Sequence, residues 1–223
     1  MLVAKKAMLA SIVLVASASA SSASLDFRQE YKHESESYAS RVKMGAGVGN
    51  HFFGVEAMLK GKPFSEWESN GNEFEYGYKF KLNDHWTLLP SMPLTFFSGH
   101  TSYKPQLRVQ YKFDSGLVAK LRYRHQFRYF TDDRDMERLS YVTANLNYNV
   151  NYFQLGLEAN YTKGHDNQTF FDNDDYNWDA GVWIGYKGEG WKWRPYVQFT
   201  NVSVSSSSDK RQLRSRVGIT YSF

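Results

Sequence analysis

The chain has 223 residues, no Cys, 42% hydrophobic and 17% aromatic residues, and a mean hydropathy of −0.58. No window approaches the ~20 apolar residues of a membrane helix, which excludes a helical membrane bundle, and the missing Cys excludes a disulfide scaffold and Cys-based zinc or iron–sulfur centres. With 16 Tyr, 16 Phe and 6 Trp the chain is too aromatic to be disordered, which leaves a β protein, either water-soluble or a membrane barrel.

The N-terminus comes first in chain order. Lys5 and Lys6 precede an apolar run from Ala7 to Ala16, and small residues follow from Ser17 to Ser24. A basic start, a short apolar stretch and an A-x-A-like zone make a secretory signal. The expectation is a signal over 1–23, cleaved after Ala20 or Ala23, followed by one domain over 24–223. Removal of the two lysines leaves a chain close to neutral, so net charge names no partner. The arrangement of the charges does.

Twelve strands are predicted, over 25–32, 41–48, 53–60, 73–81, 85–92, 103–113, 117–128, 140–148, 152–161, 176–186, 191–201 and 211–223. The evidence is alternation, since side chains on a strand point to opposite faces. In the last segment Leu213, Val217, Ile219, Tyr221 and Phe223 share one face, and Arg214, Arg216 and Thr220 share the other. In 117–128, Leu117, Ala119, Leu121 and Tyr123 oppose Lys120, Arg122 and Arg124. The segment at 85–92 carries Pro90, with Pro93 just beyond. Proline removes a ladder hydrogen bond, so this strand is expected to be short, bulged or bent. Short turns at Gly49-Asn50, Asn83-Asp84, Asp114-Ser115-Gly116, Asn149-Val150-Asn151 and Gly188-Glu189-Gly190 alternate with longer polar loops at 33–40, 61–72, 129–139, 162–175 and 202–210. Short turns at one end and long loops at the other, with aromatics such as Trp86, Trp178, Trp191 and Trp193 near strand ends, describe a transmembrane antiparallel up-and-down β-barrel in the outer membrane.

In such a barrel the apolar face meets lipid and the polar face lines a water-filled lumen. The alternation puts eighteen basic and seven acidic side chains inward and no charge on the lipid face. Low-dielectric walls focus the field of clustered cations, and rings or tracks of Arg and Lys select anions. Arg forks pair carboxylates at two points, while Lys acts as a mobile point charge. Twelve strands enclose a bore between the filled interior of eight and the open channel of sixteen. That bore suits a slender acidic chain.

Several segments resemble one family. Leu25-Asp26-Phe27-Arg28-Gln29-Glu30-Tyr31 looks like the opening strand of the oligogalacturonate-specific porins. Gly61-Lys62-Pro63-Phe64 with Asn70-Gly71-Asn72-Glu73-Phe74, then Tyr103-Lys104-Pro105-Gln106-Leu107-Arg108, then Arg122-Tyr123-Arg124, and the ending Arg216 to Phe223 follow in the same order. The terminal Phe resembles an outer-membrane sorting signal. The resemblance implies a monomeric twelve-stranded barrel with tracks of Arg and Lys. It implies acidic oligosaccharides as cargo, lipid and lipopolysaccharide as surroundings, no nucleic-acid partner and no cofactor or metal. By the matching motifs Arg28, Lys104, Arg108, Arg122, Arg124 and Arg216 are track residues; Lys43, Lys60, Lys79, Lys120 and Arg214 join them from the inward register alone. Galacturonate, alginate-derived and sialate-derived chains all present the same repeated anions.

The main rival is an outer-membrane enzyme of the phospholipase type, whose Ser–His–Asn site lies on the outer barrel face. His125 falls on the apolar face near the loop end. A base needs a nucleophile within hydrogen-bond reach, and no outward Ser with a hydrolase signature accompanies it. The expectation is an interfacial side chain and no enzyme. The acidic loop residues, among them Asp166, Asp172, Asp174 and Asp175, are expected to form a solvated rim.

Overall fold

The computed structural model describes residues 22–223, so the predicted signal lies almost wholly outside the described residues. Twelve wall strands close into one ring. They are β1 Ser22–Lys32, β2 Ser37–Val48, β3 His51–Lys60, β4 Glu68–Tyr78 continued by Phe80–Lys81, β5 Trp86–Phe96, β6 His100–Tyr103 continued by Gln106–Lys112, β7 Val118–Phe130, β8 Glu137–Val150, β9 Phe153–Gly164, β10 Tyr176–Tyr186, β11 Trp193–Ser203 and β12 Arg211–Ser222. Each pairs antiparallel with its sequence neighbours, and β12 closes on β1 from Ser24↔Ser222 to Lys32↔Arg214. Closure removes the free strand edges that would template aggregation.

The exposure pattern is inverted relative to a water-soluble protein. Val217, Leu157 and Leu121 are more than half exposed, while Thr95 and Ser102 are fully buried. Both classes alternate along the same strands. The buried polar atoms bond each other: Gln126 Nε2 donates to Ser102 Oγ at 2.9 Å, and Thr95 Oγ1 donates to Glu73 Oε2 at 2.7 Å. Exposed apolar side chains outside and satisfied polar ones inside are what a barrel in lipid requires. The turn end carries a near-continuous aromatic belt, including Trp86–Tyr111 at 4.7 Å, Trp193–Tyr221 at 4.5 Å and Tyr221–Phe223 at 4.9 Å between centroids. Amphipathic rings favour the headgroup level.

The strands run further than expected at the loop end. The first loop shrinks to the turn between Lys32 and Ser37, and β8 begins at Glu137 rather than 140. The fourth short turn sits at Asn151 and Tyr152, one step beyond the predicted site, with Asn151 at φ 50°. Asn tolerates that left-handed conformation.

The proline-bearing β5 is neither short nor bent out of the sheet. It spans 11 residues and keeps one register against each neighbour. The damage appears in the adjoining strands. Continuing the ladder Gly77↔Ser91 and Phe80↔Leu88 sets Pro90 opposite Tyr78, next to the break at Lys79. Continuing Leu94↔Tyr103 and Ser91↔Gln106 sets Pro93 opposite Lys104, at the break in β6. Lys104 N still donates to Pro93 O at 3.0 Å, but no return bond exists because proline has no N–H. Each proline costs one bond toward one neighbour, so both breaks are local.

The lipid face is not free of charge at its loop end. Arg138 and Lys163, expected in loops, lie in strands and share the outward phase of His125 and Phe127. Each is held by a carboxylate: Arg138 Nη2–Asp166 at 2.5 Å and Lys163 Nζ–Asp175 at 2.5 Å. The Arg138 hydrogen bonds hold the Asp166 carboxyl below the usual range, so the clamp is intact at neutral pH. Arg211, also outward, fills the splayed upper seam between β10 and β11. Its guanidinium donates to Trp178 O, Asn201 O, Asn201 Oδ1 and Asn177 Oδ1 and stacks 4.0 Å over the Trp178 ring. The acidic loops are therefore partly strand-end clamps rather than a purely solvated rim.

Candidate functional site: two basic walls across the lumen

The inward phase of β6 and β7 builds one wall. Arg108 and Arg122 are directly opposite in register, flanked by Gln110↔Lys120 below and Gln106↔Arg124 above. Like charges directly opposite destabilise a sheet, so these cations need other satisfaction. For Arg122 and Arg124 neutral groups supply it. Arg122 Nη2 donates to Thr143 Oγ1 at 2.8 Å, and Arg124 Nε donates to Gln106 Oε1 at 2.7 Å. Gln106 Nε2 in turn donates to Glu75 Oε1 at 2.9 Å. No carboxylate among the described residues lies within ion-pair distance of Arg108, Lys120, Arg122 or Arg124. Arg122 also keeps an unspent Nε donor.

Half the ring away, β12, β1 and β2 build the second wall. Here the cations are paired. Arg216 Nε meets Glu30 Oε2 at 2.6 Å, Arg214 reaches the same oxygen at 3.9 Å, and Arg41 Nη2 meets Asp26 Oδ1 at 2.6 Å. Arg28 lies across from Arg41 and has no ion pair of its own among the described residues. Glu56, Glu73 and Glu75 of β3 and β4 join the walls on one side: Lys43 Nζ sits 3.7 Å from Glu56 and 3.6 Å from Glu75, and Lys104 Nζ bonds Glu73 at 2.9 Å. On the other side Glu158 accepts from Asn145 Nδ2 and Asn160 Nδ2.

The predicted track residues thus divide by environment. Arg28, Arg108, Lys120, Arg122 and Arg124 are inward cations without carboxylate partners. Lys43, Lys104, Arg214 and Arg216 are inward and ion-paired. Lys60 stands at the loop-end mouth, exposed and 3.3 Å from Glu68. Lys79 stands exposed in the break of β4 near the turn end. Two of the predicted charge placements change. Lys192 precedes β11 and its Nζ lies over the outward Tyr221 ring at 6.0 Å. Glu137, expected in a loop, opens β8 and pairs Arg128 Nη1 at 2.7 Å. Both changes lower the cationic excess without touching the β6–β7 wall.

The sequence reading also missed a serine. His125 Nδ1 lies 3.0 Å from Ser140 Oγ, which lies 2.9 Å from His165 Nε2. The cross-strand pairing Ser140↔His125 brings them together. No local motif signals it, because the partners are 15 and 25 residues apart. Among the described residues no cluster of three or more His, Asp and Glu could hold a metal ion.

Comparison with known proteins identifies the barrel that carries these walls. A family model described as oligogalacturonate-specific porin protein matches residues 15–223. The oligogalacturonate-specific porin KdgM of Dickeya dadantii is 31% identical over 95% of this chain and 96% of that protein. The solved KdgM porin superposes with a TM-score of 0.71 at 26% identity, covering 90% of this chain and 99% of that one. The NanC porin shares the fold, with a TM-score of 0.77 at 18% identity over 88% and 98% of the two chains. The closed ring of twelve is thus a shared fold, and this chain is an outer-membrane β-barrel that belongs to the oligogalacturonate-specific porin family.

Proposed function

We propose that this porin is a passive, anion-preferring path for acidic oligosaccharides, with oligogalacturonate as the first candidate cargo. The observation that carries the reading is the β6–β7 wall, where Arg108, Lys120, Arg122 and Arg124 face the lumen without a carboxylate partner among the described residues. Paired cations have already spent their charge; these have not. A carboxylated chain can exchange the water around them for its own oxygens and move from one to the next, since no single site holds it tightly. A KdgM structure described as a complex with disordered oligogalacturonate supports the cargo class. A monomer is proposed with it: the ring closes on itself, so among the described residues no strand edge is left to pair with a second copy. The test is uptake into proteoliposomes of trigalacturonate against maltotriose, a neutral chain of the same length. Faster entry of the acidic sugar is expected; equal rates contradict the reading.

The signal is proposed to end at Ala20. Phe223 N donates to Ala23 O at 3.0 Å, and Ala23 pairs with Ala46, so cleavage after Ala23 would remove part of the closing seam. The mass of the mature chain separates the two sites.

The Ser140 cluster favours a second reading, an esterase on the outer face. Both imidazoles compete for one hydroxyl, however. The nearest candidate to orient His165, Asp166, is engaged by Arg138 through its backbone N, Nε and Nη2. A working triad needs its base oriented by a third group. We therefore read the cluster as an interfacial hydrogen-bond network and the protein as a non-enzyme. No labelling of Ser140 by an alkyl fluorophosphonate is expected, and labelling lost in Ser140→Ala would overturn this.

A further inference from the structure

On the reading of the lumen as an acidic-sugar path, the cations account for the acid and leave the sugar unexplained. We propose that Trp183 and Tyr196, with Arg194 between them, form a binding site for adjoining uronic-acid rings of one chain on the wall made by β9 to β12. Both aromatics are in the inward phase, and each faces a glycine across the sheet: Trp183↔Gly156 and Tyr196↔Gly218. A methyl group at Gly156 would overlap the indole, and one at Gly218 would overlap the phenol ring. Each ring therefore occupies the space over its neighbour's glycine, and both residues remain part-exposed on the lumen side of the wall. Gly185, two residues beyond Trp183 on β10 and directly opposite Tyr196, completes the floor. A methyl there would come 3.1 Å from Trp183 Cζ3, 3.6 Å from Tyr196 Cβ and 3.7 Å from Arg194 Cδ, so the Arg194 stem lies between the two aromatics, with the indole leaning over β9 and the phenol over β12.

The polar groups fit the other half of a uronate. Arg194 donates to Gln154 Oε1 at 3.1 Å and Thr220 Oγ1 at 3.2 Å. It has no carboxylate within ion-pair distance among the described residues, so its charge is free for a ligand. Tyr196 Oη donates to Asp26 Oδ2 at 3.1 Å, which anchors the phenol end of the ring. The C–H face of a pyranose packs on an aromatic face, while the carboxylate at C5 meets a guanidinium. An inorganic polyanion can use only the second contact. The site thus discriminates sugar acids from bare anions, which the cation walls alone cannot do.

The experiment compares block of single-channel current by trigalacturonate and by tripolyphosphate. In Trp183→Leu with Tyr196→Leu the half-blocking concentration of trigalacturonate should rise about tenfold, the size expected from losing two stacking contacts. That of tripolyphosphate and the reversal potential should stay unchanged. Trp183→Phe keeps apolar cover over Gly156 and serves if the double variant fails to assemble; it should lose part of the sugar block alone. Unchanged sugar block, or equal loss for both blockers, overturns the proposal while leaving the acidic-sugar path intact. A wild-type channel blocked by neither anion overturns both.

Discussion

In Arg122→Glu with Arg124→Glu, the preference for anions should collapse toward zero or reverse, and block by oligogalacturonate should weaken by more than about tenfold. The effect exceeds a simple loss of two cations. A carboxylate at position 122 would stand opposite Arg108 and spend that cation in an ion pair. A carboxylate at position 124 would face Gln106, which already donates to Glu75. The wall would change from four unpaired cations to a mostly neutral or acidic surface. Focusing of the field by low-dielectric walls amplifies such a change inside a narrow lumen. Lys163→Glu is the matching control, since Lys163 is outward and paired with Asp175. Its expected reversal potential is that of the wild type.

Glu30→Gln should separate selectivity from stability. Glu30 holds Arg216 at 2.6 Å and Arg214 at 3.9 Å, and its side chain is only 12% exposed. Without its charge two buried guanidiniums repel each other beside Arg28. Breaking a buried pair by removing one partner costs several kcal/mol; lumen water softens this to roughly 2–3 kcal/mol. The denaturation midpoint should fall accordingly. The same change adds a positive charge to the lumen, so anion preference should rise. A variant that is less stable and more selective would show that the β12–β1 acids are there to hold the barrel closed against its own cations. Unchanged stability would mean that water already screens the pair.

The fold was largely legible because alternation is a strong signal in a barrel wet on one face and greasy on the other. Leu121, Arg122, Tyr123 and Arg124 announce both faces in four residues. The limits of that signal have physical causes. Strand ends beyond the bilayer lose the apolar half of the pattern, so Glu137, Arg138 and Lys163 read as loop although the ladder continues through them. Pro90 and Pro93 read as a defect in their own strand, whereas the missing donors interrupt the neighbours at Lys79 and Lys104. The free and spent cations could not be told apart from sequence, because ion pairs form across strands. Arg216 finds Glu30 186 residues away, and Arg122 finds only Thr143. The Ser140 network and the Trp183 platform are likewise products of register. For Trp183 one hint was present: it stands in phase with Asp179, Gly181 and Gly185, on the polar face where a large ring is out of place.

The central claim is that uncompensated lumen cations select acidic sugars, and the reversal potential of single wild-type channels under a salt gradient, measured with and without oligogalacturonate, tests it most directly. An anion-preferring potential together with current block by the sugar is the predicted result. A cation-preferring potential, or an anion-preferring channel that the sugar leaves unblocked, would contradict it.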